Sequence, residues 1–319
     1  VILVTGATGF IGSYVVADLR RRGHDVLAVT RTGWRPENRH VIAGDLPELA
    51  HVDLGDSAAV AALVRRRRPE AIIHLGALVD PVALATNPVL ALDANVRPGL
   101  DLLDAARAHG VGRFVLGSSV AVLPRIRVEP IRADHPLVTE SGGSAGGFYG
   151  VAKAVAEITA LGYAEAFGID VRIVRPSAVY GFGMQWPIGI KPVVEALATG
   201  DVARMPRHAP PRDYTPVQDV ASIISALAEG RGHDVVVNAG TGGALTTNDE
   251  LIATMSRVFP GGRIEVSDDD LDPQGVESGY RGVLDMTAAR EQLGVHPTFP
   301  TLDAGLAAYA EAFRRFRAG

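Results

Sequence analysis

Tyr149 and Lys153 lie four residues apart at the start of a helical pattern, Tyr149-Gly150-Val151-Ala152-Lys153. Residues at that spacing share one face of a helix, so a phenol and an ammonium would stand side by side. A free tyrosine titrates at about 10, too high for an efficient base at neutral pH, and a neighbouring cation lowers that value by favouring the phenolate. Ser118 and Ser119 follow the apolar run Phe114-Val115-Leu116. A hydroxyl at the carboxyl end of a parallel strand can hydrogen-bond a substrate oxygen and stabilise charge that develops there. Ser119, Tyr149 and Lys153 together suit proton transfer at one carbon–oxygen bond. A Tyr and a Lys at this spacing also occur on ordinary amphipathic surfaces, so the surrounding features decide between the two.

Competing chemistries find less support. The nine histidines form no HxxxH or HxH pair, and no metal site is expected. His74, between Ile73 and Leu75, reads as a satisfied strand-end histidine rather than a base. The chain has no cysteine, which excludes disulfides, thiolate nucleophiles and cysteine-ligated metals and fits a reducing cytoplasm. Lys and Arg number 31 against 36 Asp and Glu, a net charge of −5, so no basic field points to nucleic acid. No apolar run approaches the roughly 18 residues of a membrane span, and no signal-like leader is apparent, so a cytoplasmic location is expected.

Thr5-Gly6-Ala7-Thr8-Gly9-Phe10-Ile11-Gly12 joins the first apolar run to the first helical one. In such a turn Gly6 permits the bend, Gly9 lets backbone approach a pyrophosphate, and Gly12 permits close helix–sheet packing. The helix N-terminus then offers unpaired N–H groups to phosphate. The spacing is GxxGxxG rather than GxGxxG, but its place at the first strand-to-helix turn reads as a dinucleotide cradle. The second strand ends in Thr30-Arg31, where an acid would take the ribose hydroxyls of NAD. A missing carboxylate and a guanidinium favour the 2′-phosphate of NADP. NAD or NADP is the expected cofactor, with NADP favoured. Its positively charged nicotinamide would lower the Tyr149 pKa further.

These residues need a scaffold, and its rhythm is legible. Val1–Thr5, Asp25–Thr30, Ala71–Leu75, Arg113–Leu116 and Val171–Val174 are short apolar runs separated by helical segments such as Ile11–Arg22. Strict alternation implies βαβ units, and continuous apolar strands imply a parallel sheet covered on both faces. The fold class is therefore α/β, a Rossmann-type doubly wound parallel sheet with a smaller, discontinuous C-terminal substrate-binding domain. Residues 1–180 form the dinucleotide-binding part, with 215–240 returning to it through the helix Val217–Glu229 and the strand Val235–Asn238. Residues 181–214 and 241–319 form mainly the cap. The first of these is rich in Gly and Pro and lacks a strong strand; the second holds a helix Asn248–Val258, an acidic turn Asp268–Asp270 and a closing helix near Leu302–Phe316. Arg65–Arg68 is a cation run at a helix C-terminus, where it opposes the dipole in water.

With these features assembled, the chain resembles the extended short-chain dehydrogenase/reductase family, the group of NAD(P)-dependent epimerases and dehydratases. Gly6, Gly9 and Gly12 match its phosphate turn, and Asp53-Leu54 the pair that contacts adenine. His74-Leu75-Gly76-Ala77 matches the strand-end motif beside the cofactor, and Asn95 the asparagine of the following helix. Ser119, Tyr149 and Lys153 match the catalytic set; Ser119 is preferred to Ser118 because Leu123-Pro124 stands where the family has a Tyr-Gly pair four residues on. The resemblance implies that Ser118 also borders the cofactor and that Pro176 and Val179, within Arg175-Pro176 through Tyr180-Gly181, flank the nicotinamide. Arg212-Asp213-Tyr214 followed by Asp219-Val220 resembles the segment whose arginine grips a nucleotide-sugar diphosphate, which makes Arg212 a substrate ligand beside Ser119 and Tyr149. Asn238-Ala239-Gly240, Asp285 and Leu293-Gly294 complete the pattern.

Several positions depart from it. The acidic ribose ligand is absent, the second diphosphate arginine is out of register although Arg281 is close, and the stretch Met184–Lys191 shows no clear substrate asparagine. The resemblance implies an epimerase acting on a nucleotide sugar through a transient keto intermediate formed by hydride transfer. The alternative is an NADP(H)-dependent reductase or dehydrogenase of a small carbonyl or hydroxy compound, and a non-catalytic NADP-binding regulator is disfavoured because Tyr149 and Lys153 are both retained. Val120-Ala121 stand where dehydratases carry an acidic pair, which argues against dehydration. Family members often form homodimers through two helices, here Asn95–His109 and Ala152–Phe167. Both are alanine-rich on one face, which suits either a partner or the sheet. No nucleic acid or membrane partner is expected.

Overall fold

A computed structural model describes residues 1–126, 128–140, 142–185, 189–271 and 278–319. The chain runs β1 (Ile2–Thr5), α1 (Phe10–Arg21), β2 (Val26–Thr30), α2 (Pro36–Val41), β3 (Glu48–His51), α3 (Ser57–Arg67), β4 (Ala71–His74), α4 (Pro81–Thr86), α5 (Pro88–Asn95), α6 (Arg97–His109) and β5 (Arg113–Gly117). It continues with α7 (Gly147–Phe167), β6 (Asp170–Pro176), β7 (Ala178–Tyr180), α8 (Ile190–Thr199), β8 (Ala203–His208), β9 (Tyr214–Pro216), α9 (Val217–Ala228), β10 (Val236–Ala239), α10 (Asn248–Val258), β11 (Ile264–Asp270) and α11 (Leu302–Ala318).

Seven strands form one sheet in the order β10-β6-β5-β4-β1-β2-β3, and the pairings along it are parallel. This is the Rossmann-type doubly wound sheet that the alternating runs predict. The chain winds from β1 through β2 to β3 on one side, then returns to place β4 on the other. That reversal between β1 and β4 opens a crevice at the carboxyl ends of the strands, the place where ligands bind in such sheets.

Both faces of the sheet are covered, so successive strand residues enter opposite cores. Ile2 and Val4 pack with Val15, Val16 and Leu19 of α1 and with Val220, Ile223 and Ile224 of α9. Leu3 packs on the other side with Val60 and Val64 of α3, Leu102 and Leu103 of α6, and Ala156 and Ala160 of α7. The inward alanines of α7 therefore let that helix lie close to the sheet. Its outward face instead carries larger apolar side chains. A third apolar cluster joins Tyr180 and Phe182 to α8, α10 and α11 through Val193, Val194, Met255 and Leu306.

The elements differ from expectation in three places. Residues 181–214 contain α8 and the strand β8, and β9 starts at their last residue. Asp268–Asp270 is the end of β11, which pairs in parallel with β8, not a turn; Arg207 of β8 binds Asp268 at 2.9 Å and offsets part of the acidic repulsion. The edge strand β3, with its half-exposed Glu48–His51, has no apolar run to announce it. Trp186, Pro187 and Ile188, in the stretch read as the substrate loop, lie outside the described residues.

Candidate active site

The carboxyl ends of β1, β2, β4, β5 and β6 open into a cavity of 1310 Å³. Gly6, Gly9, Phe10, Ile11 and Gly12 line it at the start of α1. Gly6 has φ +66, and a Cβ on Gly12 would fall 2.1 Å from the Gly6 carbonyl oxygen, so the turn can close only with glycine at both places. Gly9 caps α1 with no side-chain bond to the helix N–H groups, leaving those donors to a ligand's phosphates. Asp53 and Leu54 line the same cavity, as do Leu75, Gly76 and Ala77 after β4. The glycine turn, the donors and the elongated cavity fit a dinucleotide.

At the end of β2, Thr30 is buried. Its hydroxyl lies 2.9 Å from that of Thr8 and accepts the N–H groups of Thr32 at 3.3 Å and Gly33 at 3.2 Å. Arg31 and Arg35 both line the cavity beside it. Arg35 had no signal in the sequence beyond its nearness to Arg31.

Ser119, Tyr149 and Lys153 converge at the other end of the cofactor crevice. The Ser119 hydroxyl hydrogen-bonds the Tyr149 phenol, and the Lys153 Nζ stands 6.0 Å from the centre of the tyrosine ring. Lys153 donates to the Gly117 carbonyl at 2.8 Å. The helix reaches this position because α7 packs tightly on the turn that follows β5: a Cβ on Gly150 would lie 2.1 Å from the Ala121 carbonyl oxygen. Burial pushes the Tyr149 phenol up to about 12, with the Ser119 bond opposing the shift. Burial brings Lys153 down to about 8, with Glu157 opposing that change. The expected fall in the tyrosine pKa is thus not seen, because desolvation of the phenol outweighs the opposing effect of Ser119.

Ser118 also lines the cavity, but its hydroxyl donates to Glu157 at 2.5 Å. Glu157 is fully buried and pairs with Arg175, whose Nη2 lies 2.6 Å from its Oε2. This pair escaped the sequence reading; its only signal is that Glu157 continues the four-residue spacing of Tyr149 and Lys153. Pro176 and Val179 line the cavity as expected. Asn95 does not: its amide accepts the Leu78 N–H at 2.7 Å and donates to the Leu78 carbonyl at 3.0 Å, so it braces the loop after β4. His74 is buried, bonded through Nδ1 to the Thr5 hydroxyl at 2.7 Å, and held neutral at about 3 by burial and by Lys153. It is a structural histidine.

Arg212 and Arg281 enter the cavity on the side formed by the later segments. The carboxylate of Asp213, next to Arg212 in the chain, is buried and accepts the Thr241 N–H at 3.1 Å and its hydroxyl at 2.7 Å. Burial raises its pKa, and the Thr241 bonds, followed by Thr215 and Arg281, counter that effect. Val120 and Ala121 border the catalytic end. Among the described residues the lining carries two carboxylates, Asp53 and Asp93.

Residues 2–240 match the sequence profile of the NAD dependent epimerase/dehydratase family. The chain is 31% identical to a UDP-glucose 4-epimerase of Mycolicibacterium smegmatis over 98% of both chains. It is 30% identical to a dTDP-glucose 4,6-dehydratase of Streptomyces antibioticus, over 93% of this chain and 87% of that one. Its fold is similar to the UDP-glucose 4-epimerase of Thermotoga maritima crystallised with UDP-glucose, with a TM-score of 0.82, 26% identity and 98% of both chains covered. The Thermus thermophilus UDP-glucose 4-epimerase in complex with NAD gives a TM-score of 0.80 at 27% identity, again with 98% of both chains covered. The chain is therefore an enzyme and belongs to the NAD dependent epimerase/dehydratase family.

Proposed function

We propose that the protein is a nucleotide-sugar epimerase that inverts one carbinol carbon through a transient keto sugar. The observation that carries this reading is the composition of one cavity: Ser119, Tyr149 and Lys153 beside the cofactor crevice, Arg212 and Arg281 on the side of the later segments, and Val120 and Ala121 where a dehydratase needs acids. A bound nicotinamide supplies the hydride acceptor and donor. The protein's own task is to move a proton. The Tyr149 phenolate takes the sugar hydroxyl proton and returns it after the other face of the carbon is presented. The Ser119 hydroxyl orients that oxygen, and the buried Lys153 ammonium, fixed by the Gly117 carbonyl, stabilises the phenolate. Arg212 holds the diphosphate by charge-assisted hydrogen bonds. Residues 1–180 and 215–240 form the cofactor side, and 181–214 with 241–319 most of the substrate side.

At the adenosine end, Thr30, Arg31 and Arg35 favour a 2′-phosphate, so NADP is the preferred cofactor. The active form is a homodimer, built on the outward apolar face of α7. The relatives that are UDP-glucose 4-epimerases support epimerisation over net reduction of a small carbonyl compound.

The test mixes purified protein with UDP-, GDP- and dTDP-sugars and follows product stereochemistry by NMR together with nicotinamide absorbance. Epimerised sugar with no net change in cofactor redox state is expected. Tyr149→Phe is expected to lose at least about 10²-fold in kcat while nucleotide binding persists. Stoichiometric consumption of NADPH with a small ketone, and no sugar inversion, would overturn the reading.

A further inference from the structure

Tyr149, Lys153 and Glu157 follow one another at four-residue intervals along α7, and each engages a different residue at the end of β5. Tyr149 bonds the Ser119 hydroxyl, Lys153 the Gly117 carbonyl at 2.8 Å, and Glu157 the Ser118 hydroxyl at 2.5 Å. Arg175 closes the arrangement from β6, the strand beside β5. Its Nε lies 2.9 Å from Glu157 Oε1, its Nη2 lies 2.6 Å from Oε2, and its Nη1 donates to the Ala133 carbonyl at 2.9 Å. Glu157 is 0% exposed and Arg175 3%.

A buried ion pair is a weak source of stability, because the cost of desolvating both charges offsets their attraction and apolar replacements are often neutral or better. Its position suggests another role. Lys153 is 4% exposed, and its ammonium faces a neutral His74 from β4 and Tyr149 and Glu157 from its own helix. Asp93 of α5 borders the cavity but is exposed. Among the described residues Glu157 is the buried anion on this face, one helical turn from the ammonium.

We propose that Glu157, clamped by Arg175 and Ser118, is a positioning residue for the Tyr149–Lys153 pair: its carboxylate keeps the Lys153 ammonium charged and seats the third turn of the catalytic face on the end of β5. The inference rests on the reading of Tyr149 and Lys153 as the proton-handling pair. Glu157 acts through Lys153 and touches no substrate. Arg175 fixes the carboxylate's orientation, and the two hydroxyls, Ser118 and Ser119, divide between structure and chemistry.

The protein offers a clean test, because Lys153 and Lys191 are its only lysines. With side-chain ¹⁵N-lysine label, Lys153 is followed by NMR across a pH titration, and Lys191, ion-paired with Glu195 at 2.7 Å on α8, serves as the internal reference. The wild-type Lys153 midpoint is expected near 8. In Glu157→Gln it is expected to fall by about one pH unit while Lys191 stays in place. Because that variant strands the Arg175 cation, Glu157→Gln/Arg175→Gln is titrated as well and is expected to show a smaller fall in the same direction; it carries the test if the single variant does not fold. The Tyr149 phenolate, read as difference absorbance against Tyr149→Phe, is expected to appear at higher pH in both variants. With a nucleotide sugar that turns over, the alkaline limb of kcat should move down with the lysine midpoint while KM holds. A Lys153 midpoint unchanged or raised in both variants would overturn the proposal. Absence of turnover on nucleotide sugars would overturn the epimerase reading and leave the NMR result standing.

Discussion

The phenol of Tyr149 shows packing and chemistry in opposition. Burial raises its pKa to about 12 in the protein alone, yet the reaction needs phenolate. The bound nicotinamide cation and a charged Lys153 must together supply the stabilisation that water would have given. The same logic underlies the proposal of NADP at the adenosine end, which rests on charge. Thr30 has committed its hydroxyl to Thr8 and to two loop N–H groups, so it offers little to ribose hydroxyls, and Arg31 and Arg35 line the cavity beside it. Calorimetry is expected to show NADP⁺ binding more tightly than NAD⁺. Arg31→Ser should weaken NADP⁺ by about 10- to 100-fold, the worth of a charge-assisted hydrogen bond, and change NAD⁺ by less than about twofold. Wild-type affinities that are equal, or that favour NAD⁺, would contradict the assignment. The place of Thr30 and Arg31 on the cavity wall was legible in the sequence because they directly follow the apolar run of β2. Glu157 was not, because one carboxylate in an alanine-rich helix carries no mark of what it will face.

Among the elements, β1, β2, β4, β5 and β6 could be read because each is covered on both faces and must be continuously apolar. Strand β3 at the edge and β11 beside β8 escaped notice because their side chains are largely exposed, and exposed strands tolerate Glu, His and runs of Asp. His74 illustrates how a strand end is held. It ties β4 to β1 through Thr5, whose hydroxyl also accepts the Gly76 N–H at 3.2 Å, so one bond network fixes both walls of the crevice. Its pKa falls from 6.5 to about 3 on folding. A base whose folded pKa is depressed gains its proton in the unfolded state first, so stability drops as pH falls from about 6.5 towards 3. This group alone is expected to remove about 2 kcal/mol between pH 7 and pH 5. Urea titrations at the two pH values should show a smaller loss for His74→Asn, which can keep the Thr5 bond without titrating. An equal loss in both proteins would show that His74 is protonated in the fold.

At the scale of the whole molecule, the inward and outward faces of α7 answer different needs. Ala152, Ala156 and Ala160 are buried, while Val151, Val155, Ile158 and Leu161 are exposed, with Ile158 at 56%. Their spacing draws one stripe along the helix, and Val89 and Leu92 of α5, which packs against α7, are exposed as well. A contiguous apolar stripe of this kind is costly in water and marks an association surface. The stripe lies on the outer side of the helix that carries Tyr149, Lys153 and Glu157 on its inner side, so a second copy packed there would stiffen the catalytic face without entering the cavity. A twofold axis would set the stripe of one copy against that of the other, as an isologous interface requires. Sedimentation or light scattering is expected to give twice the 33.5 kDa of the chain for the wild type. Ile158→Glu places a charge in that stripe at a site already exposed in the single chain, so it should yield a folded monomer with an unchanged circular dichroism spectrum. The monomer should bind dinucleotide, because the cradle at α1 lies on the opposite face of the sheet from α7, but turn over more slowly as the catalytic helix loses its support. A wild-type protein that sediments as a monomer, or an Ile158→Glu variant that remains dimeric, would remove α7 as the contact and leave its apolar stripe without this partner.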